Sequence, residues 1–320
     1  MKLIIQIPCY NEEETLGTAL AQLPREVPGF DTVEWLIIDD GSTDRTAEVA
    51  RENGVDHIVR HTTNLGLARG FMNGLDAGLK AGADVIVNTD ADNQYEAADI
   101  PKLVKPILDG DAEIVVGERP ISQTSHFSPI KKLLQKLGSW VVRVVSKTTV
   151  PDAPSGFRAI SKEAALKLNV FNEYTYTLET IIQAGQKGIA ITSVPIRTNE
   201  DLRPSKLVKS ISSYVRRSLF TIVRIFAIYK PLKFFFLTGS VPFIAGILLI
   251  IRWLYYFIYA YDVDRARVPS LVAASILVML GAMLWMMGFM AEVTSANRKI
   301  LEEIQERTRR ADVDRATRGQ

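Results

Sequence analysis

At 320 residues, with 47% hydrophobic and 23% charged side chains, the chain has room for one large or two ordinary domains. Its single cysteine, Cys9, excludes an intramolecular disulfide framework and a Cys-based zinc cluster. A net charge of +2 decides nothing about nucleic acid, which is not counted among the expected partners, and a mean hydropathy of +0.08 directs attention to a membrane portion.

Residues 3–7 read as a first strand, too short an apolar run for a signal peptide. Asn11-Glu12-Glu13-Glu14 is expected to open a helix reaching about residue 23, with acids in its first turn where the dipole favours them. Residues 34–39 form a second strand, ending in the turn Asp40-Gly41-Ser42-Thr43 before a helix over 44–52. A weak third strand at 57–60 precedes a Gly-rich helical stretch over 64–81. Residues 83–87 and 113–116 are the fourth and fifth strands. Strands alternating with helices predict an α/β domain with a mostly parallel sheet, whose ligands collect at the C-terminal strand ends.

That rule draws attention to Asp90-Ala91-Asp92, just after the fourth strand. Two carboxylates one residue apart, with Gln94 as a third oxygen ligand, can grip a hard cation such as Mg²⁺ or Mn²⁺ and share it with substrate phosphates. Taken alone, the same residues are good turn formers and need no ligand. Pro8 to Glu12 and Asp39-Asp40 fall at the ends of the first two strands, on the same sheet edge. Neither a G-x-G-x-x-G after the first strand nor a G-x-x-x-x-G-K-[ST] is present, so dinucleotide and P-loop readings are weak.

Beyond residue 120 the pattern turns basic and amphipathic, with Lys131, Lys132, Lys136, Arg143 and Lys147 among apolar residues. Residues 151–158 read as a polar site loop, 174–188 as a helix and 189–196 as a strand. Residues 205–229 again combine apolar helical spacing with Lys206, Lys209, Arg216, Arg217 and Arg224, as expected at an anionic membrane surface. Two uncharged runs follow, 234–251 and 268–291, each long enough to cross a bilayer. Gly281 and Gly288 offer close helix packing in the second. Lys and Arg are denser outside the pair than in its connecting loop, which predicts cytoplasmic ends and a multi-pass protein of the inner cell membrane. The resulting division is a cytoplasmic domain over 1–200, an interfacial region over 201–231, a two-helix hairpin over 232–292 and a charged cytoplasmic tail over 293–320, expected to be partly helical and frayed from residue 297.

Six motifs occur in the order typical of family 2 glycosyltransferases. They are Pro8-Cys9-Tyr10-Asn11-Glu12-Glu13, Asp39-Asp40-Gly41-Ser42-Thr43-Asp44, Asn64-Leu65-Gly66, Asp90-Ala91-Asp92, Gly117-Glu118-Arg119 and Ser155-Gly156-Phe157-Arg158. With its paired C-terminal spans the chain resembles the polyprenyl-phosphate (dolichyl- or undecaprenyl-phosphate) branch. The resemblance implies a GT-A fold, a UDP- or GDP-sugar donor, a divalent metal, inversion at the anomeric carbon and self-association of the membrane hairpins. Pro8, Tyr10, Glu12, Asp39, Asp40, Asp90 and Ala91 would then line the nucleotide-sugar pocket, and Asp90, Asp92 and Gln94 would hold the metal. Arg119, Arg158, Arg203 and Lys206 would face phosphates, and Asp152 is the nominee for any base or orienting group. The sequence departs from the usual pattern at Asn93-Gln94-Tyr95, where Gly-Gln-His is commoner, at Glu118, and at Pro204.

Two rival readings fit the same sequence. One is the same fold with another lipid or glycan acceptor; the Gln-x-x-Arg-Trp stretch of processive synthases is not found. The other is a non-catalytic, membrane-tethered nucleotide-sugar binder.

Overall fold

The computed structural model describes residues 1–120, 143, 146, 148–170, 176–199, 220, 223–224, 227–259 and 268–318. Two compact units divide the chain: Met1–Val215 together with Glu303–Gln320, and Arg216–Glu302.

The first unit is built on a seven-stranded sheet. Its strands are β1 (Lys2–Cys9), β2 (Thr32–Asp39), β3 (His57–Arg60), β4 (Val85–Asn88), β5 (Ile114–Glu118), β6 (Arg158–Ser161) and β7 (Ile191–Pro195). They lie in the order β3-β2-β1-β4-β6-β5-β7. All pairings are parallel except those of β6, which runs against both β4 and β5. The apolar runs of β1, β2 and β4 are buried on both faces, as a helix-covered parallel sheet requires. One face packs Leu3, Ile5, Ile7, Trp35, Ile37, Val85 and Val87 into the main core.

The six expected strands are present. A seventh, β6, begins at the last residue of the expected 151–158 loop and was not expected, because Arg158-Ala-Ile-Ser is too short to show alternation. Its reversed direction has a consequence. The N-terminal end of β6 meets the C-terminal ends of β4 and β5, with Arg158 opposite both Asn88 and Val116. The preceding residues 152–157 are thereby delivered to the edge where ligands collect.

The helices are α1 (Leu16–Gln22), α2 (Thr46–Glu52), α3 (Leu67–Lys80), α4 (Ile100–Leu108), α5 (Lys162–Lys167), α6 (Thr177–Lys187), α7 (Pro231–Tyr259) and α8 (Val268–Arg318). Helix α1 starts five residues later than expected. Asn11 adopts a left-handed φ of 53°, which a right-handed helix cannot contain. The acids expected in its first turn serve the loop before it instead.

The described part of the tail is helical throughout, where a partly helical, frayed segment was expected. Helix α8 continues to Arg318, and residues 303–318 dock on the first unit. Arg309 pairs with Asp76 of α3 at 2.8 Å and donates to the Ala165 and Leu168 carbonyls at the end of α5, at 3.1 and 2.7 Å. Arg310 pairs with Glu163 at 2.7 Å, Gln305 accepts from Asn169, and Val313 is buried.

In the second unit α7 and the first part of α8 are each long and apolar enough to cross a membrane. At about 1.5 Å per residue, α7 exceeds the roughly 30 Å of a hydrocarbon core. The two helices pack backbone to backbone. A Cβ on Gly239 would lie 2.9 Å from the Gly281 carbonyl oxygen, and one on Gly288 would lie 2.8 Å from Phe235 Cβ, so small residues form this interface as expected. Trp285 Nε1 donates to the Phe236 carbonyl at 3.1 Å, leaving the outward Leu237, Val241 and Leu248 exposed.

Candidate functional site

The loops after β1 and β2 are laced together. Asn11 N–H donates to Ser42 Oγ (3.0 Å), Glu12 N–H to Thr46 Oγ1 (2.9 Å) and Glu13 N–H to Asp44 Oδ2 (3.1 Å). In return, Thr43 N–H donates to Asn11 Oδ1 (2.9 Å) and Arg45 N–H to Glu13 Oε2 (3.0 Å). These bonds satisfy backbone donors that no helix or strand reaches. Asn11, Glu13, Ser42 and Asp44 are therefore the frame of the site. Tyr10 stands exposed above it, Pro8 is half-buried within β1, and Glu12 accepts from Thr15 Oγ1 at 2.9 Å.

Asp39 and Asp40 were both expected to line the nucleotide-sugar pocket, with Asp40 foremost, but they have different partners. Asp40 is spent on structure. It accepts from Leu65 N–H and Gly66 N–H, both at 2.8 Å, and lies 2.7 Å from His61 Nδ1. This ties down the loop before α3, over the backbone of Gly41. That residue has φ 74°, and a Cβ there would come within 2.6 Å of the Thr63 carbonyl carbon, so only glycine fits. Asp39 is fully buried. Its Oδ1 accepts from Ser42 N–H at 2.8 Å, while Oδ2 makes no hydrogen bond and has only the ion pair to Arg60 Nε at 3.1 Å. Of the two, Asp39 carries the less committed oxygen, enclosed behind Arg60.

Asp90-Ala91-Asp92 follows β4 in a tight turn. Asp92 Oδ1 accepts from Gln94 N–H at 3.1 Å, and Asn93 takes a left-handed φ of 57°. Glycine is the usual choice for that conformation, and asparagine is the side chain that tolerates it best. The departure at Asn93 therefore preserves the turn. Ala91 is buried and Gln94 half-buried in the same turn.

The Asp90 side chain keeps some solvent exposure, yet its burial and the neighbouring Asp92 charge push its pKa up to about 7. Arg119 and Arg158 pull the other way, and Glu12 adds to the rise. Such a carboxylate lacks positive charge, and that fits a divalent cation. No group of three or more His, Cys, Asp or Glu completes a metal cage among the described residues. The remaining ligands would come from substrate phosphates and water, as is usual for Mg²⁺.

Arg119 follows β5, and Asp152 lies in the loop before β6. Arg119 donates to Asp152 through its backbone N–H (3.2 Å), Nε (2.8 Å) and Nη2 (3.0 Å). Asp152 is buried, so it holds Arg119 in place instead of standing free as a base. Arg158, expected to face phosphates, is also fully buried. It donates through Nε to the Ser155 carbonyl (2.9 Å), through Nη2 to the Ala153 carbonyl (2.8 Å) and through Nη1 to Thr180 Oγ1. Burial brings its pKa down to about 10, so it stays charged near neutrality. Its charge reaches the site from below, while its hydrogen bonds shape the loop over residues 153–155. Arg203 and Lys206 lie outside the described residues.

Sequence reasoning missed Asn88, Tyr95, Tyr176 and His61. Each acts by bonding a remote loop, which leaves no local pattern. The one available signal was a polar residue, Asn88, ending an apolar strand.

A protein-family model described as "Glycosyl transferase family 2" matches residues 4–168. The undecaprenyl-phosphate mannosyltransferase of Micrococcus luteus is 28% identical over 65% of this chain and 88% of its own length. The UDP-N-acetylglucosamine--dolichyl-phosphate N-acetylglucosaminyltransferase of Methanococcus voltae is 31% identical over 60% of this chain and 83% of its own. Among solved structures, glucosyl-3-phosphoglycerate synthase from Mycobacterium tuberculosis, bound to Mn²⁺ and UDP-glucose, superposes with a TM-score of 0.55 at 22% identity. That match covers 71% of this chain and 78% of the other, and shows the shared fold. With the sheet order, the acidic turn after β4 and a family match spanning half its length, the chain belongs to glycosyl transferase family 2.

Proposed function

We propose that this protein transfers a sugar from a UDP- or GDP-sugar to a polyprenyl phosphate at the cytoplasmic face of a cell membrane, with inversion at the anomeric carbon. The observation that carries the reading is the Asp90-Ala91-Asp92 turn after β4, at the same ligand-binding edge as the Arg119–Asp152 pair. Relatives named for transfer to undecaprenyl and dolichyl phosphate support the acceptor. Two helices of membrane-spanning length and composition supply the anchor.

In the reaction, an oxygen of the acceptor phosphate forms a bond to the anomeric carbon. The bond from that carbon to the donor diphosphate breaks, and its electrons leave with the nucleoside diphosphate. A phosphate oxygen is already largely ionised near pH 7, so the chain need not supply a strong base. Asp39 Oδ2 would accept a hydrogen bond from the nucleobase or ribose once the half-exposed Arg60 moves aside, and the exposed Tyr10 follows β1 at the same sheet edge. Asp90 and Asp92 would hold a Mg²⁺ or Mn²⁺ ion, which when bound neutralises diphosphate charge. Arg119, fixed by Asp152, would donate to a phosphate oxygen through its remaining N–H groups. Arg203 and Lys206 would add cations from the segment preceding the spans.

The test uses membranes carrying the full chain, polyprenyl phosphate, Mn²⁺ or Mg²⁺, and labelled UDP- and GDP-sugars in turn. The expected product is an organic-extractable sugar lipid that forms with one donor. No lipid product with any common donor rejects the proposal.

A further inference from the structure

Beneath the acidic turn runs a buried polar chain that the reaction itself does not use. Gln6 of β1 donates through Nε2 to Asn88 Oδ1 (2.9 Å) and to the Phe71 carbonyl (3.4 Å). Asn88, last residue of β4, donates through Nδ2 to the Gly156 carbonyl and to Tyr176 Oη, both at 2.9 Å. Gly156 N–H donates to Tyr95 Oη at 2.9 Å. Gln6, Asn88 and Tyr176 are all fully or almost fully buried.

The orientation of both amides follows from the ends of the chain. The Phe71 and Gly156 carbonyls can only accept, so each must meet an NH₂ group. Turning either amide over would set oxygen against oxygen. Asn88 therefore presents one N–H to the Gly156 carbonyl and the other to Tyr176 Oη. Tyr176 is held from the other side, its ring stacked on Phe71 with centroids 3.9 Å apart and planes 6° apart.

These bonds converge on one small contact. A Cβ on Gly156 would lie 2.9 Å from Tyr176 Oη, and 3.1 and 3.3 Å from the two Asp90 carboxylate oxygens. The Asp90 carboxylate thus rests over the bare Cα of Gly156. The backbone of Gly156 is pinned through its carbonyl by Asn88 and through its N–H by Tyr95.

We propose that Asn88 and Tyr176 are positioning residues for Asp90, acting through the backbone of Gly156 to set the carboxylate where it can share a divalent cation with a nucleoside diphosphate. The inference rests on the metal role given to Asp90 above. Ligating carboxylates need support of this kind, because a ligand displaced by a fraction of an ångström loses its ion.

The test is Mn²⁺ binding to the detergent-solubilised full chain, followed by electron paramagnetic resonance with UDP or GDP present and no sugar. Tyr176→Phe removes one oxygen and keeps the ring stack. It is expected to weaken Mn²⁺ binding by roughly tenfold, as loss of a supporting hydrogen bond does at other metal sites, with metal-free Tm little changed. Gly156→Ala is expected to weaken it further by pushing the carboxylate aside. Asn88→Leu serves as a second route, its folding checked by Tm. Wild-type Mn²⁺ affinity in Tyr176→Phe and Gly156→Ala overturns the inference and leaves the metal reading standing. A wild-type chain that takes up no Mn²⁺ overturns both.

Discussion

Arg119 and Asp152, 33 residues apart in sequence, are joined by three hydrogen bonds, two of them a parallel pair from the guanidinium. One partner follows β5 and the other lies in the loop that feeds its neighbour β6. A carboxylate committed in this way orients a cation. Asp152→Asn should therefore lower activity by about tenfold while leaving the acidic limb of the pH–rate profile in place. Asp152→Ala, which leaves the guanidinium unpaired, should cost about 100-fold or more. Loss of the acidic limb in Asp152→Asn would instead identify Asp152 as the base.

The raised pKa of Asp90 carries a pH dependence with a definite sign. Burial, then Asp92, lifts it to about 7 in the folded chain, against about 3.9 unfolded. The metal-free protein should be most stable near and below pH 4 as far as this group is concerned. That contribution is lost as pH rises through about 7. A divalent cation with a nucleoside diphosphate reverses the trend, because it binds the ionised form. Thermal melts at pH 5.5 and 8 should show a larger Mn²⁺-induced rise in Tm at pH 8. Equal shifts at both values would refute the assignment.

Asp39 and Asp40 should fail differently when changed. Asp40→Asn disturbs acceptors of two backbone N–H groups and should destabilise by about 2 kcal/mol, since hydrogen bonds to charged groups contribute about that much. Asp39→Asn should spare more of the loop and weaken nucleoside diphosphate binding, read by calorimetry. Matching losses in both variants would show that the two carboxylates act as one unit.

At Asn93 the backbone, and not the side chain, is under constraint. Asn93→Gly should keep Tm within about a degree and retain activity. Asn93→Val places a β-branched residue at a φ of 57° and should cost about 1–2 kcal/mol, with a distorted acidic turn and lower turnover. A fully active Asn93→Val enzyme would show that the turn is not needed in this form.

Much of this was legible beforehand. The apolar runs at 3–7, 34–39 and 83–87 mark their strands plainly, and parallel pairing follows from the helices between them. The acidic turn, the placement of Asp39, and the two spans came with it. Other features were hidden for physical reasons. β6 has four residues and draws its stability from neighbours on both sides, which no local pattern records. Asp40, Asp152 and Arg158 have chemistry that suits substrate as well as it suits protein. Only their partners reveal that Asp40 and Arg158 bind loops and that Asp152 binds Arg119. Asn88 and Tyr176 serve a residue they are not adjacent to, through a glycine whose role is to have no side chain.

The docked end of α8 also constrains topology. Arg309 and Arg310 fix residues 303–318 to helices α3 and α5, which lie within the first 168 residues. Both ends of the intervening chain therefore belong to one folded body and must share one side of any bilayer. Whatever lies between them has to cross an even number of times. The even number of crossings is independent of charge counts in loops. Cysteine labelling of intact spheroplasts at positions 52 and 315 would test it, since reagent reaching one of them and not the other would be incompatible with the Arg309–Asp76 pair.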